Sequence, residues 1–346
     1  MKKSIYIKGA EQVSIQKPLC EEWMTAPIIY NDKYNRSLDP DFKQFLSPIE
    51  ARRMGKILKR ALATSIRVID KCGKTEPDAI ITGTGLGCIE NTELFLDALC
   101  REGEEFLKPT HFMQSTHNTI SSLLAIQTKS HGYNVTYAHK HVSFDSALYD
   151  AYLQFMLNKV NNVLVGGHDE MTPSYFSLLE KSGYLGCEGM CTSGETAVSV
   201  MLSNDRENAL CELLSMRILY RPDKEKICST FERMLAESNI SSEEITAIVT
   251  GINGCKENDS VYDSIIGCID SNAPVLKYKH LFGESYTASG LGLYAAAHCM
   301  HNREYPAHMV IGENNGAVNA GGVTLLLNHS DGKTITLTMI RSIENS

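Results

Sequence analysis

The sequence contains no apolar run approaching the roughly 18 residues of a spanning helix, so no membrane span is expected. Its first residues, Met1 to Gln16, turn polar before a signal-peptide core can form, and a cytoplasmic location is expected. Basic charge is not in excess: 33 Lys and Arg stand against 41 Asp and Glu, a net charge of −8. Nucleic acid and anionic membrane surfaces are therefore not expected as principal partners. Paired cysteine motifs are missing as well. The eleven cysteines are scattered singly except for Cys187 and Cys191, whose three-residue gap, with no second Cys or His pair, fits no common zinc pattern. Free thiols in a reducing compartment are expected, with no metal and no cofactor. There is no G-x-S-x-G elbow, which removes the anchor for an α/β-hydrolase, and no low-complexity tract or long linker.

What is present is an ordinary globular balance, 43% hydrophobic and 21% charged over 346 residues. At about 150 residues per domain, that is about two domains or one duplicated one. The chain repeats itself. Asp78 to Thr92 (DAIITGTGLGCIENT) and Thr246 to Asp259 (TAIVTGINGCKEND) share Ala, Ile, Thr and Gly in register and then Gly, Cys, Glu and Asn after a one-residue gap. Each is an apolar run, a glycine-rich turn and an acidic helix start, the pattern of a strand–turn–helix unit. Asn161–Gly167 and His308–Gly312 are again apolar runs closed by glycine, each after a helix-like stretch, Phe144–Lys159 and Thr287–His301. The expectation is an α/β fold of two similar halves, residues 1–205 and 206–346, with mixed sheets layered against helices. Pro48–Ile69 reads as one helix, with Ser47 and Glu50 as a capping box and a basic cluster of Arg52, Arg53, Lys56, Lys59 and Arg60. Such a cluster is most often a solvated face, and otherwise a dock for an acidic partner.

Several chemical patterns fall short. Gly83, Gly85 and Gly87 follow a strand but have neither dinucleotide-fingerprint nor P-loop spacing. His139 and His141 share one face of an extended segment, and His298 and His301 one helical turn, without a third ligand in either case. Ser143 and Cys255 are candidate nucleophiles with no activating neighbour in sequence, and Cys255 has a counterpart in Cys88.

An ordered set of motifs resembles the β-ketoacyl-ACP synthase branch of the thiolase-fold family: Ser47–Met54 (SPIEARRM), Ile80–Gly87 (IITGTGLG), Val163–Glu170 (VLVGGHDE), Ser193–Met201 (SGETAVSVM) and Gly283–Gly290 (GESYTASG). The resemblance implies a thiolase-like fold. It also implies a site in which a cysteine at the head of a buried helix is assisted by two histidines and a lysine. Carried over by motif, the cysteine position falls on His141 in Thr136–Ala147 (TYAHKHVSFDSA), the histidine positions on Asn253 and Glu284, and the lysine on Lys279. An acyl-imidazole is a poor store for a growing chain, Asn253 can donate a hydrogen bond but carry no proton, and an ionised Glu284 would repel an enolate. The resemblance therefore implies a catalytically degenerate, chain-length-factor-like subunit of fatty acid or polyketide-type biosynthesis, paired with an active ketosynthase through the strand that starts at Asn134. Acyl carrier protein is then a further partner, guided by the basic helix. Two alternatives stand beside it: a 3-oxoacyl-ACP synthase or acyltransferase with unconventional residues, and a homodimeric acyl-binding scaffold.

Overall fold

The computed structural model describes residues 4–73, 76–312 and 316–344. Twelve strands occur among them: β1 (Ile5–Val13), β2 (Ala79–Gly83), β3 (Tyr133–Tyr137), β4 (Asn162–Asp169), β5 (Thr196–Ser203), β6 (Cys211–Tyr220), β7 (Ile245–Thr250), β8 (Val275–Lys277), β9 (Glu304–Tyr305), β10 (Val318–Asn319), β11 (Val323–Ser330) and β12 (Thr334–Ser342). Ten pair laterally in the order β3-β2-β4-β5-β1-β6-β12-β11-β7-β8, while β9 and β10 make a separate ribbon. Read outward from the middle, β1-β5-β4-β2-β3 on one side is matched by β6-β12-β11-β7-β8 on the other. Orientation matches too. β2 runs parallel to β3 and β4, β4 antiparallel to β5, β7 parallel to β8 and β11, and β11 antiparallel to β12. The two sets join where β1 pairs antiparallel with β6, Ile5 opposite Leu213 and Ile7 opposite Cys211. The expected division at 205/206 falls in the connector between β5 and β6, and we propose a duplicated unit on either side of it.

Two helices sit between the strand sets and touch both: Ser143–Met156 against β2, β4 and β6, and Ala288–His301 against β1, β5, β7 and β11. Ala288–His301 is apolar or small nearly all round, as a helix with no solvent face must be. Its glycines are required by contact, since a Cβ on Gly290 would stand 2.5 Å from Val198 and one on Gly292 2.7 Å from Tyr278. Outer helices cover the other faces, Lys56–Lys71 on the first set, Lys224–Ser238 and Lys256–Ile266 on the second.

Two sequence expectations need correction. Pro48–Ile69 is not one helix. Pro48–Ala51 forms a single turn with the expected Ser47/Glu50 capping box, and a new helix, Lys56–Lys71, starts after extended Gly55. Gly55 is held from outside: its N–H donates to Gln114 Oε1 at 3.3 Å, and a Cβ there would meet the Asn91 amide at 2.8 Å. The run His308–Gly312 is not the second-half counterpart of β4. It forms a 3₁₀ turn (Ala307–Met309) and one bridge, Val310 to Leu276, and β11 takes the position in the sheet beside β7 and β12. No helix among the described residues is long and apolar enough to cross a membrane.

Candidate functional site

After β3 the chain makes a tight 3₁₀ turn, Lys140–Val142, with Lys140 in the left-handed region at φ 48°, and enters the buried helix Ser143–Met156. The Ser143 hydroxyl is spent on this turn, donating to the Lys140 carbonyl at 2.7 Å and accepting from the His139 N–H at 2.8 Å. The far half of the molecule holds the turn as well. Asn328 of β11 donates to the His141 carbonyl (2.7 Å) and to Asp145 Oδ2 (2.8 Å), and Ser289 and Thr336 donate to the same carboxylate. Burial pushes the Asp145 carboxyl up, and these donors oppose that rise.

The turn aims the His141 ring into a cleft. Tyr286 lies 4.7 Å from it, centroid to centroid, and Tyr184 5.9 Å. The Tyr184 hydroxyl is 3.4 Å from His141 Nδ1 and donates to Asp331 Oδ1 at 3.3 Å, while Lys140 pairs with the other Asp331 oxygen at 2.9 Å. Burial pushes the imidazole down to about 4, against the attraction of Glu284, so the ring is neutral at pH 7.

Below it lies a compact polar set. Lys279, 3% exposed, heads the short turn Lys279–Phe282, and Glu284, 2% exposed, follows Gly283 in the left-handed conformation at φ 86°. Lys279 Nζ donates to Glu284 Oε2 at 2.9 Å, and Asn253 Nδ2 donates to the same oxygen at 2.6 Å. Asn253 Oδ1 accepts from the Cys255 N–H (3.0 Å) and from Asn258 (3.1 Å). Glu284 Oε1 makes no hydrogen bond and faces His141 Nε2 at 4.0 Å. Burial alone would raise the Glu284 carboxyl. The Lys279 ammonium, the His141 ring and the two hydrogen bonds hold it instead below the usual carboxylate range. Burial would likewise lower Lys279, but the Glu284 charge more than offsets it and holds the ammonium above its ordinary value. The two stay ionised, each stabilised by the other.

His141, Asn253, Lys279 and Glu284 thus come together from three segments: the turn after β3, the loop after β7 and the stretch from Lys279 to Glu284. With Tyr184, Cys255 and His329, three of them (His141, Asn253 and Glu284) line a cleft of about 320 Å³. A nearby thiol, Cys191, is pushed up to about 12 by burial and by Glu284 and so is no thiolate at neutral pH. Cys255 stands at the residue before the helix Lys256–Ile266, as Cys88 stands before Ile89–Glu102 in the matching loop of the first half, and neither side chain makes a capping hydrogen bond. Tyr184, Asp331 and Asn328 are contributors that the sequence did not single out. Tyr286 lay unremarked inside the GESYTASG stretch.

Other candidates resolve as structure. The Gly83–Gly87 loop cradles an anion, but the protein's own: Asp169 Oδ1 accepts from the N–H groups of Gly85 and Leu86 (both 2.8 Å) and from Thr84 (2.9 Å). His139 rests 3.2 Å from the Ser146 hydroxyl, and His298 bonds the Ala10 carbonyl and Glu21. Among the described residues no cluster of three His, Cys, Asp or Glu could hold a metal ion. Arg60 must be struck from the proposed docking face. At 1% exposure it bonds Asp39 (2.6 Å) and Glu195 (2.9 Å), because its helix buries the side carrying Ile57, Arg60, Ala61 and Thr64. Arg52 and Arg53 are exposed, and Lys56 and Lys59 half-buried.

Comparison with solved structures gives matches along the whole chain. A chain of the ishigamide ketosynthase/chain length factor is 17% identical with TM-score 0.82, covering 99% of this chain and 100% of the other. A chain of the ketosynthase (ApeO)–chain length factor (ApeC) complex from Xenorhabdus doucetiae is 15% identical with TM-score 0.82, covering 99% and 98%. A chain of AntDE:AntF, a type II PKS acyl-carrier protein in complex with its ketosynthase, is 14% identical with TM-score 0.78, covering 99% and 100%. At these identities the likeness establishes the fold, the thiolase-like α/β architecture expected from the motifs. No curated protein matches by sequence. Residues 21–242, well over half of the chain, match the family described as beta-ketoacyl synthase, N-terminal domain. The chain belongs to the beta-ketoacyl synthase family.

Proposed function

We propose that this chain is a non-condensing, chain-length-factor-like member of the family that pairs with an active ketosynthase and meets acyl carrier protein. One observation carries the reading: at the head of the buried helix stands a neutral imidazole, His141, and the polar groups beneath it are spent on one another. In the proposed correspondence His141 takes the place of the nucleophilic cysteine, Asn253 and Glu284 those of the two histidines, and Lys279 that of the lysine. Lys279 and Asn253 both donate to Glu284 Oε2, so the Lys279 charge is compensated within the set, and the Glu284 charge opposes an anionic intermediate. Losing the nucleophile and both acid–base groups removes several orders of magnitude in rate, non-additively.

The partner reading is supported by the edge strand β3, whose outer side has no partner strand among the described residues and which begins at exposed Tyr133. Such an edge is a template for a second chain. The similar structures from the ishigamide and ApeO–ApeC systems contain ketosynthases with chain length factors, and AntDE:AntF contains an acyl-carrier protein. Arg52, Arg53, Lys56 and Lys59 remain as a basic approach for an acidic carrier. Co-expression with a cysteine-bearing ketosynthase encoded nearby tests the reading. A stable one-to-one complex is expected, whereas a well-behaved homodimer in the presence of that ketosynthase refutes it. His141→Cys alone is expected to take an acyl group from a thioester donor if the nucleophile position is assigned correctly.

The second reading, an acyltransferase with unconventional residues, rests on the unbonded Glu284 Oε1 facing His141 Nε2. Malonyl-ACP decarboxylation by the isolated chain, abolished in His141→Ala, would establish it in place of the first.

A further inference from the structure

The two polar atoms of the cleft that face each other without a shared proton are both acceptors. Tyr184 has a single hydroxyl proton, and the Asp331 carboxylate can only accept, so the 3.3 Å contact between them uses that proton. The 3.4 Å contact between the Tyr184 oxygen and His141 Nδ1 is then a hydrogen bond only if the ring donates from Nδ1. A neutral imidazole carries one N–H, so this assignment fixes the tautomer and leaves Nε2 as a bare lone pair. Opposite it stands Glu284 Oε1, on a side chain 2% exposed and without a hydrogen bond of its own, because Lys279 and Asn253 both donate to Oε2. Two acceptors therefore face each other across 4.0 Å. An unpaired buried acceptor is costly, and one group with two protons satisfies both. A nitrogen about 2.9 Å from each sees them at an angle of about 90°, which two N–H bonds of a single ammonium group can span.

The surroundings choose among possible donors. Glu284, Asp331 and the exposed Glu257 line the cleft, and among the described residues no lysine or arginine does. Lys279 offsets Glu284 at 2.9 Å and Lys140 offsets Asp331 at 2.9 Å, which leaves the Glu257 charge over and favours a cation. Leu185, Met190 and Val261 line the same space of about 320 Å³, at the lower end of the range of small-molecule sites, about 300–1,000 Å³. We propose that the cleft binds a primary alkylammonium ligand, its N–H groups shared between Glu284 Oε1 and His141 Nε2 and its chain lying against Leu185, Met190 and Val261. A thioester carbonyl or its oxyanion has no proton to give and meets only lone pairs at these two atoms. The inference goes beyond the non-condensing reading and survives its failure, because it concerns one chain and a small ligand and no partner protein enters its test.

The full chain is titrated with n-pentylammonium chloride and with two relatives: n-pentyltrimethylammonium, which keeps the charge but has no N–H, and 1-pentanol, which has one proton and no charge. Calorimetry reads the affinity, and proton–nitrogen NMR of the imidazoles reads the place of binding. Pentylammonium is expected to bind at least about ten-fold more tightly than either relative, the worth of one charge-assisted hydrogen bond, and to move the His141 Nε2 resonance while Nδ1 keeps the proton. Two variants test the site, each first shown to melt cooperatively. His141→Phe keeps a ring over the cleft and removes Nε2, and is expected to weaken binding by at least about ten-fold. Glu284→Gln alone would strand the Lys279 charge, so the second variant is Lys279→Met/Glu284→Gln, expected to lose the preference for pentylammonium over pentanol. No measurable binding, or a smaller preference than this in the wild type, overturns the ligand class. Wild-type affinity and preference in either folded variant overturn the site, and a free ring protonated at Nε2 overturns the tautomer on which it rests.

Discussion

Replacing Lys279 by Met tests whether the buried set beneath His141 is held together by its charges. The substitution keeps the length of the side chain and removes the ammonium. At 2.9 Å and an effective dielectric of about 20, the attraction to Glu284 amounts to roughly 6 kcal/mol, part of which is offset by the desolvation the lysine no longer suffers. Removing one partner of a buried pair typically costs about 3–5 kcal/mol, because the other charge is stranded. In the variant, Glu284 keeps only the Asn253 hydrogen bond and a neutral His141 ring. The pH dependence follows from the direction of the shift. In the wild type the Glu284 carboxyl lies below its ordinary 4.5, so its contribution is complete above that value and is lost as pH falls through the depressed one. In the variant burial prevails and the carboxyl rises above 4.5, so the deficit is largest near neutral pH and shrinks as acid protonates it. Urea denaturation of both proteins near neutral pH and near pH 5 reads the gap, and a Lys279→Met/Glu284→Gln double variant is expected to recover most of it. A single-variant cost below about 1 kcal/mol near neutral pH, or a gap that does not narrow in acid, refutes the reasoning.

Gly83→Ala is expected to destabilise strongly, by about 2–4 kcal/mol, and to alter the His141 imidazole resonances in NMR, because a Cβ there would stand 2.3 Å from the Ser143 carbonyl oxygen and push the helix head away. Arg60→Met is expected to cost about 3–5 kcal/mol by stranding the buried Glu195, whereas Lys59→Ala stays within about 0.5 kcal/mol by chemical denaturation. Glu21→Gln removes the pairing with His298 that holds the Glu21 carboxyl down at about 2. Since Glu21 is partly exposed, the loss above pH 4.5 is at most about 1 kcal/mol, and it vanishes as pH falls towards 2 in acid titrations of stability.

What the sequence made legible was local or repeated. The Ser47/Glu50 capping box depends on four consecutive residues, and the loops after β2 and β7 could be compared directly because the chain carries both copies. The four residues His141, Asn253, Lys279 and Glu284 were found because each lies in a stretch with a motif around it. Tyr184, Asp331 and Asn328 belong to no motif. They reach the site through pairings such as Asn328 to His141, across most of the chain, which only the folded sheet brings together. Arg60 shows the opposite error. Five basic residues close in sequence suggested one surface, yet the break at Gly55 and the helical period turn the last of them inward onto acids from Asp39 and Glu195.

The joining strand β1 also sets a schedule for synthesis. It is made long before its neighbours, pairing with β5 on one side and β6 on the other, strands that begin at Thr196 and Cys211. At about 5–20 residues per second a ribosome needs roughly 10–40 seconds to deliver those partners. For that interval an apolar segment carrying Ile5, Ile7 and Val13 waits with both edges open. Its folding is governed by contacts far apart along the chain, the slow class, and a nascent chain of this protein is most open to mispairing, or to capture by a chaperone, before residue 211 is made.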